Sequence, residues 1–356
     1  MKLEYKNNRD QLYQELQNVK VQYVQLDLFG YCNAACWYCP VKYIPQPERT
    51  RVHMPLDLVE KILIDLNENR ISDDGVVSDT MRNIYTAHYG EVLLYKHFEE
   101  FLDLLHKYNF TTTIFSNGIN LTPKKIDMIK SKREVISDII LNIPSFEPDI
   151  WAERSGLPVN QYDRLISNLE YLDTELADLD SVVILINGVD ANSWNEQFQP
   201  GDEFEQLMID QHPVTGELAQ AYEFAKKKFK NLLAYKEYVL HDRAGLLSNY
   251  ITNQPSIQER LKTGTVVGCR GGPSRERIRS DGSEDIDSDR TTEMIHINPL
   301  GETFLCCNDY NMEYVFGNLS RQSLREIWVA EKHVEVIMQA REEICRTCNY
   351  VKYIDN

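Results

Sequence analysis

The sequence has no apolar run approaching the roughly 18 residues that cross a bilayer, and no apolar segment follows a basic start. A membrane-spanning element and a secretory signal are therefore not expected, and the chain reads as cytoplasmic. It is also short of positive charge: 38 Lys and Arg stand against 55 Asp and Glu, a formal balance of −17. Nucleic-acid affinity depends on Lys and Arg neutralising phosphates, so a tRNA or rRNA substrate is disfavoured. Internal repeats and low-complexity tracts are missing too.

Core material is plentiful. At 356 residues and 42% hydrophobic, the chain has enough for one large domain and a smaller one without disulfide staples. Its eight cysteines, most of them bunched in short motifs, fit metal or cluster ligation in a reducing compartment better than a secreted disulfide framework. Three lie in Gly30-Tyr31-Cys32-Asn33-Ala34-Ala35-Cys36-Trp37-Tyr38-Cys39-Pro40, a C-x3-C-x2-C spacing, and the next cysteine is Cys269. A structural zinc or a closed [4Fe–4S] cube takes four protein ligands, whereas three thiolates leave one metal corner free for a small molecule. A labile zinc knuckle or three unrelated buried cysteines is the competing reading. The motif follows an alternating stretch, with Val21, Tyr23, Gln25 and Asp27 on one side and Val24, Leu26 and Leu28 on the other.

From about residue 21 to 242 strand and helix patterns alternate, the sign of a parallel α/β sheet. Candidate strands are Val21–Phe29, Arg82–His88, Thr111–Ser116, Ile136–Ile143, Ser181–Asn187 and Ala234–Leu240. Between them lie stripes such as Phe98, Phe101, Leu102, Leu104 and Leu105, which are core packing. The fold class is α/β: a partial (β/α)6 TIM-like barrel with a small C-terminal α+β domain, which the resemblance given below makes an iron-sulfur domain. Active sites of such barrels lie at the strand C-termini. The cysteine motif falls there, as do His88-Tyr89-Gly90-Glu91, Ser116-Asn117-Gly118 and Asn142-Ile143-Pro144-Ser145. The polar segment 188–213 reads as an inserted loop over the barrel mouth.

From about Asn253 the alternation stops, which divides the chain into 1–252 and 253–356. The charged stretch Arg275–Arg290 is expected to be mobile. Met294–Ile297 and Thr303–Cys306 flank Asn298-Pro299-Leu300-Gly301 as a hairpin, and a helix runs from Ser323, a good N-cap, to Glu343.

The C-x3-C-x2-C run, with an aromatic residue before its last cysteine, resembles the signature of the radical S-adenosylmethionine enzymes. The resemblance implies a [4Fe–4S] cluster on Cys32, Cys36 and Cys39 whose open iron chelates S-adenosylmethionine. It also implies reductive cleavage to a 5′-deoxyadenosyl radical, hydrogen abstraction from substrate, and an external one-electron donor of the flavodoxin or ferredoxin type. Cys269, Gly301, Cys306, Cys345 and Cys348 resemble the Twitch module, a shortened SPASM domain. That likeness implies one auxiliary [4Fe–4S] cluster ligated by Cys269, Cys306, Cys345 and Cys348; a four-cysteine zinc site is the competing reading. The family's G-x4-C spacing lands on Cys306 and leaves Cys307 on the opposite face of the strand. Cys307 is then either an inert thiol or a hydrogen-atom donor, as a free cysteine is in radical epimerases.

The same resemblance carries cofactor roles to single positions. Tyr38 would lie against adenine. Gly90 and Glu91 match the second half of a Gly-Gly-Glu motif that binds the methionine amino group, with Tyr89 in place of the first Gly; Glu91 is alternatively a helix-start acid. Ser116, Asn117 and Asn142 would reach the cofactor from the third and fourth strands. Arg154 would pair with the methionine carboxylate, or form a surface ion pair. His241, Asp242 and Arg243 are placed to touch substrate.

The first functional reading is a radical oxidoreductase acting on a small molecule, sugar- or aminocyclitol-like. Its alternatives are an epimerase with Cys307 as donor, a peptide-modifying maturase, and a non-catalytic electron carrier. Only about twenty residues precede the first strand, too few for a leader-binding domain, which favours the small molecule.

Overall fold

In the computed structural model, residues 9–86, 88–177, 182–187, 216–237, 243–250, 264–269, 289–348 and 350–354 are described. Six parallel strands pair in chain order: β1 (Tyr23–Leu26), β2 (Asn83–Tyr85), β3 (Thr111–Ser116), β4 (Ile136–Asn142), β5 (Val182–Asn187) and β6 (Leu233–Glu237). Helix α1 (Arg9–Asn18) precedes them. The crossovers are α2 (Leu56–Ile71), α3 (Phe98–Tyr108), α4 (Pro123–Ser131), α5 (Pro148–Ser155), α6 (Tyr162–Glu175) and α7 (Gly216–Lys228). This is the sheet of a partial (β/α)6 barrel.

Register explains the two faces, because successive strand residues point to opposite sides. Val24, Ile84 and Thr112 lie side by side, as do Ile114, Ile139 and Val182, and all six are wholly buried. The other face carries Gln25, Tyr85, Thr113 and Asp138 in register, a polar lining that apolar packing alone would not select.

The C-terminal strands are β7 (Thr265–Cys269), β8 (Met294–Ile297), β9 (Glu302–Phe304), β10 (Val315–Asn318) and β11 (Val351–Ile354). The hairpin expected at Asn298–Gly301 is present: Gly301 N–H donates to Asn298 O at 2.8 Å, and Gly301 is left-handed at φ +77°. It is built onto the barrel, however. Strand β8 pairs in parallel with β1, Tyr23 opposite Met294 and Leu26 opposite Ile297, and β9 and β10 extend that edge to nine strands. Strands β7 and β11 form a separate antiparallel pair, with Cys269 opposite Val351.

Two expectations need correction. The helix from Ser323 to Glu343 is two helices, α8 (Leu324–Trp328) and α9 (Glu331–Glu342). Ser323 does cap the first, in a reciprocal box with Glu326. The break arises because Ala330 turns extended, while the buried His333 ring bonds the Trp328 carbonyl at 2.9 Å and stacks on Phe316. The second hairpin strand stops at Phe304, so Cys306 and Cys307 lie in a turn. Helix α1, which the sequence pattern did not single out, buries Leu12 and Leu16 and packs on α9. The 252/253 boundary, the 188–213 segment, residues 275–288, His241 and Asp242 lie outside the described residues. Among the described residues no helix is long and apolar enough to cross a membrane.

Candidate active site

The first cysteine loop leaves β1 past Gly30, where a Cβ would meet Thr50 O at 2.0 Å. Cys39 N–H donates to Cys36 O at 2.9 Å, closing the C-x2-C turn. The loop then caps the carbonyl end of α5: Ala35 N–H donates to Ser155 O and Trp37 N–H to Arg154 O, each at 2.8 Å. Gly156 ends α5 in the left-handed region at φ +67°, with room for no Cβ, since one would lie 2.8 Å from both Ala35 Cβ and Ala35 O. We expect Gly156→Ala to cost about 1–2 kcal/mol in backbone strain and to displace the loop. Iron bound at the first site should fall while auxiliary iron stays; full iron content at an unchanged melting temperature would refute this.

Burial pushes the Cys36 thiol up to about 12, with Cys39 adding to it, and raises Cys32 and Cys39 as well; Glu91 further raises Cys32. Against this, backbone groups of Ala34 and Val41 hydrogen-bond the sulfurs of Cys32 and Cys39, and the Tyr38 side chain bonds Cys36. Asn117 Nδ2 lies 4.0 Å from Cys32 Sγ and donates to Asn33 Oδ1 at 3.0 Å. Crowded thiols that resist ionisation, yet are met by N–H donors, suit a cationic iron-sulfur group that takes them as thiolates.

The other expected cofactor contacts are variously placed. Glu91 is 2% exposed and caps the 3-10 turn Val92–Leu94; its carboxylate accepts from Leu93 N at 3.2 Å and Asn117 N at 3.0 Å, with Ser116 also bonded to it. Burial nevertheless holds its carboxyl above the usual range. Glu91 thus ties the end of β2 to the end of β3, the helix-start role with a strut added. Gly90 is forced, since a Cβ would lie 1.8 Å from Phe29 O. Asn142 ends β4 opposite Leu185. The Arg154 guanidinium lies 5.8 Å from the Trp37 ring centre, with an Nη 3.5 Å from Pro144 O.

The second cysteine set gathers from three separate elements. Cys269 ends β7, Cys306 follows β9, and Cys345 and Cys348 bracket a 3-10 turn in which Cys348 N–H donates to Cys345 O at 3.1 Å. Burial, then the charges of Cys348 and Cys269, raise Cys345 well above the ordinary thiol range. Cys306 also faces Cys348 and Cys269. Asn308 serves two members, its backbone N–H reaching Cys306 Sγ at 3.3 Å and its side chain Cys348 Sγ at 3.4 Å. The thiols of Cys306 and Cys307 are hydrogen-bonded to each other, so strand alternation does not part them. That bond and the positive Arg243 pull Cys307 down against the effect of burial. Cys307 therefore faces Arg243, and Cys306 faces the other thiols. Among the described residues no three His, Cys, Asp or Glu side chains close tightly enough for a single ion. A cube, in which each iron takes its own thiolate, asks for a wider set.

Tyr89 lies near members of both sets. Its hydroxyl donates to Cys307 O at 2.6 Å, and the charges of Cys307, Cys39 and Cys306 all act on it. Tyr310 meets it edge-on at 4.6 Å, and the Arg243 guanidinium lies 5.4 Å from its centre. Arg243 is held there by consecutive left-handed residues, Arg243, Ala244 and Gly245. Beyond lies a recess of about 250 Å³ lined by Arg243, Leu246, Asn308, Asp309, Tyr310 and Glu313, among others. Sequence reasoning missed Asn308 and Tyr310; their place just after the double cysteine was the available signal.

Residues 26–196 match the radical SAM superfamily, and residues 289–349 match SPASM, an iron-sulfur cluster-binding domain. No curated protein sequence matches this chain. Among solved structures, Streptococcus suis SuiB bound to S-adenosylmethionine is similar at 15% identity, with 95% of this chain and 73% of that chain covered and a TM-score of 0.52. The anSMEcpe structure with bound AdoMet is similar at 13% identity, 92% and 86% coverage and a TM-score of 0.53. BtrN in complex with AdoMet and 2-DOIA gives 16% identity, 92% and 93% coverage and a TM-score of 0.49. At these identities the likeness is one of fold. The chain belongs to the radical SAM enzymes, in the branch that carries a C-terminal SPASM-type module. Its cofactors are accordingly S-adenosylmethionine with a [4Fe–4S] cluster, and an auxiliary iron-sulfur cluster.

Proposed function

We propose that the chain is a radical oxidoreductase that takes a hydrogen atom from a small hydroxylated molecule, sugar- or aminocyclitol-like, and passes one electron to its auxiliary cluster. The supporting observation is that Tyr89 touches the surroundings of both thiol sets, so a substrate near it would lie within reach of either. In this reading Cys32, Cys36 and Cys39 hold the cleaving cluster, and Cys269, Cys306, Cys345 and Cys348 hold the auxiliary one. Bound there, the cofactors supply a hydrogen-abstracting carbon radical and an electron sink. The protein supplies position and exclusion of water. Tyr38 and Asn117 bond thiols of the first set, Gly90 lets the β2 loop lie against Phe29, and Glu91 with Ser116 fixes the rim on which Asn142 and Arg154 also stand. Tyr89 and Tyr310 pack edge to face beside the second set. The polypeptide divides between these tasks at about residue 252, and the first electron comes from a flavodoxin- or ferredoxin-type partner.

The test uses anaerobically reconstituted protein, dithionite, S-adenosylmethionine and a panel of carbinol-deuterated cyclitols and hexosamines. Deuterated 5′-deoxyadenosine together with a ketone is the expected result. No 5′-deoxyadenosine, even with cell extract as a substrate source, would favour an electron carrier. A peptide arm belongs in the panel, because two structures sharing the fold are described as bound to precursor peptide SuiA and to Cp18Cys peptide. Epimerisation remains the second reading, since the positive Arg243 acts on the Cys307 thiol and holds it down. Cys307→Ala should leave cofactor cleavage and ketone formation intact; retained cleavage with loss of a stereochemical inversion would instead make Cys307 the hydrogen donor.

A further inference from the structure

Three titratable side chains that this chemistry leaves unused meet on the polar face of the sheet. Asp27 follows β1, His88 follows β2, and His296 sits on β8 opposite Gln25. Asp27 is 6% exposed, His296 2%, and the His88 side chain 1%. His88 Nδ1 lies 3.9 Å from Asp27 Oδ2, and neither His88 ring nitrogen nor His296 Nδ1 has a hydrogen-bond partner among the described residues. Both rings pack on Phe304, at 4.9 and 5.3 Å. Buried polar atoms left without partners need an explanation, and a bound group that completes them is the simplest.

The surroundings disfavour charge on each of these groups. Burial raises the Asp27 carboxyl to about 7, against a hydrogen bond from the Phe29 backbone. Burial, then His296 and Arg243, hold His88 well below the ordinary imidazole range, and burial with Arg290 takes His296 to about 3. The charged groups facing the site are thus Arg243 beside His88 and Arg290 beside His296, with the Tyr89 ring 4.1 Å from His88. Each of these directions favours the neutral imidazole.

We infer that Asp27 and His88 form the acceptor for the proton of a substrate hydroxyl, with His296 closing the site from β8. The inference rests on the oxidoreductase reading and narrows its substrate to a secondary alcohol. Oxidation of such an alcohol to a ketone removes a hydrogen atom from carbon, a proton from oxygen and one electron. The bound cofactors would take up the hydrogen atom, as the nucleoside radical, and the electron, on the auxiliary cluster held by Cys269, Cys306, Cys345 and Cys348. The proton passes to His88 Nε2 while Asp27 holds Nδ1–H, and the C=O bond forms. At 3.9 Å the His88 Nδ1–Asp27 Oδ2 pair is longer than a hydrogen bond, and catalytic hydrogen bonds of this kind often tighten only when substrate binds.

The deciding measurement is nitrogen NMR of the resting holoenzyme labelled with 15N-histidine, with assignment by His88→Gln. Wild type should show His88 neutral between about pH 6 and about pH 8, protonated on Nδ1 and bare on Nε2. Asp27→Ala should move the proton to Nε2. A wild-type proton on Nε2, a cationic His88, or a tautomer indifferent to Asp27→Ala would each overturn the assignment. Ketone from the panel alcohol should fall by roughly 100-fold or more in Asp27→Ala and in His88→Gln, with iron content and melting temperature as the check on folding. Undiminished ketone in both variants would also overturn it. Failure of wild type to take deuterium from any alcohol would sink the oxidoreductase reading, and the tautomer result would still decide the dyad.

Discussion

Cys36→Ala will abolish release of 5′-deoxyadenosine and remove about half of the bound iron. The proposed cleaving cluster has three protein ligands, and the next cysteine in sequence, Cys269, lies on β7 among the other thiols, so no spare side chain takes the vacant place. The auxiliary set is assembled from β7, the turn after β9 and the turn after α9, none of which rests on the 32–39 loop for its ligands. The variant should therefore keep its fold and its auxiliary iron. Iron analysis and product chromatography after anaerobic reconstitution check both halves; full iron with continuing cleavage would remove the three cysteines from the mechanism.

Arg341→Ala is expected to cost about 3–5 kcal/mol, the range for removing one partner of a buried ion pair. Arg341 and Asp289 are each 1% exposed, and an Arg341 Nη donates to Asp289 Oδ2 at 2.9 Å. The other carboxylate oxygen accepts from Cys269 N at 2.9 Å, Thr291 N at 3.0 Å and Thr291 Oγ1 at 2.8 Å. Removing the guanidinium leaves that carboxylate buried and uncompensated beside a cysteine of the auxiliary set. With typical domain stabilities near 5–15 kcal/mol, the loss is a large fraction of the whole. Urea denaturation gives the figure, and Asp289→Asn in the same chain should recover part of it. A loss below about 1 kcal/mol would show that the pair is solvated in solution.

The parts legible in the sequence were those with a local signal. Thr111–Ser116 and Met294–Ile297 are strands with the expected bounds, because alternation and flanking turns define them without help from neighbours. The C-x3-C-x2-C spacing likewise needs no tertiary context. What failed depended on partners distant in the chain. Strand β9 ends at Phe304 because the chain then turns, Asp309 N–H closing on Cys306 O at 3.0 Å, which no property of Cys306 or Cys307 announces. The break before Ala330 follows from His333 reaching back to Trp328, in a stretch with no Pro or Gly to mark it. Glu91 was legible as a helix-start acid, but its bond to Asn117 N joins residues 26 apart in sequence. Asp27, His88 and His296 carried a readable clue, since His296 sits between Ile295 and Ile297 in a buried strand. Only the parallel pairing of β1 with β8 turns that clue into a site.

That pairing also bears on biosynthesis. While a ribosome is still making the chain, the edge of Tyr23–Leu26 that will receive Met294–Ile297 has nothing to bond to, for its mate is some 270 residues downstream. Contacts so far apart form late and slowly, and an open edge invites pairing with other nascent chains. Iron delivered before the last part is translated would meet a half-built basin, so metal loading and completion of translation are coupled by topology.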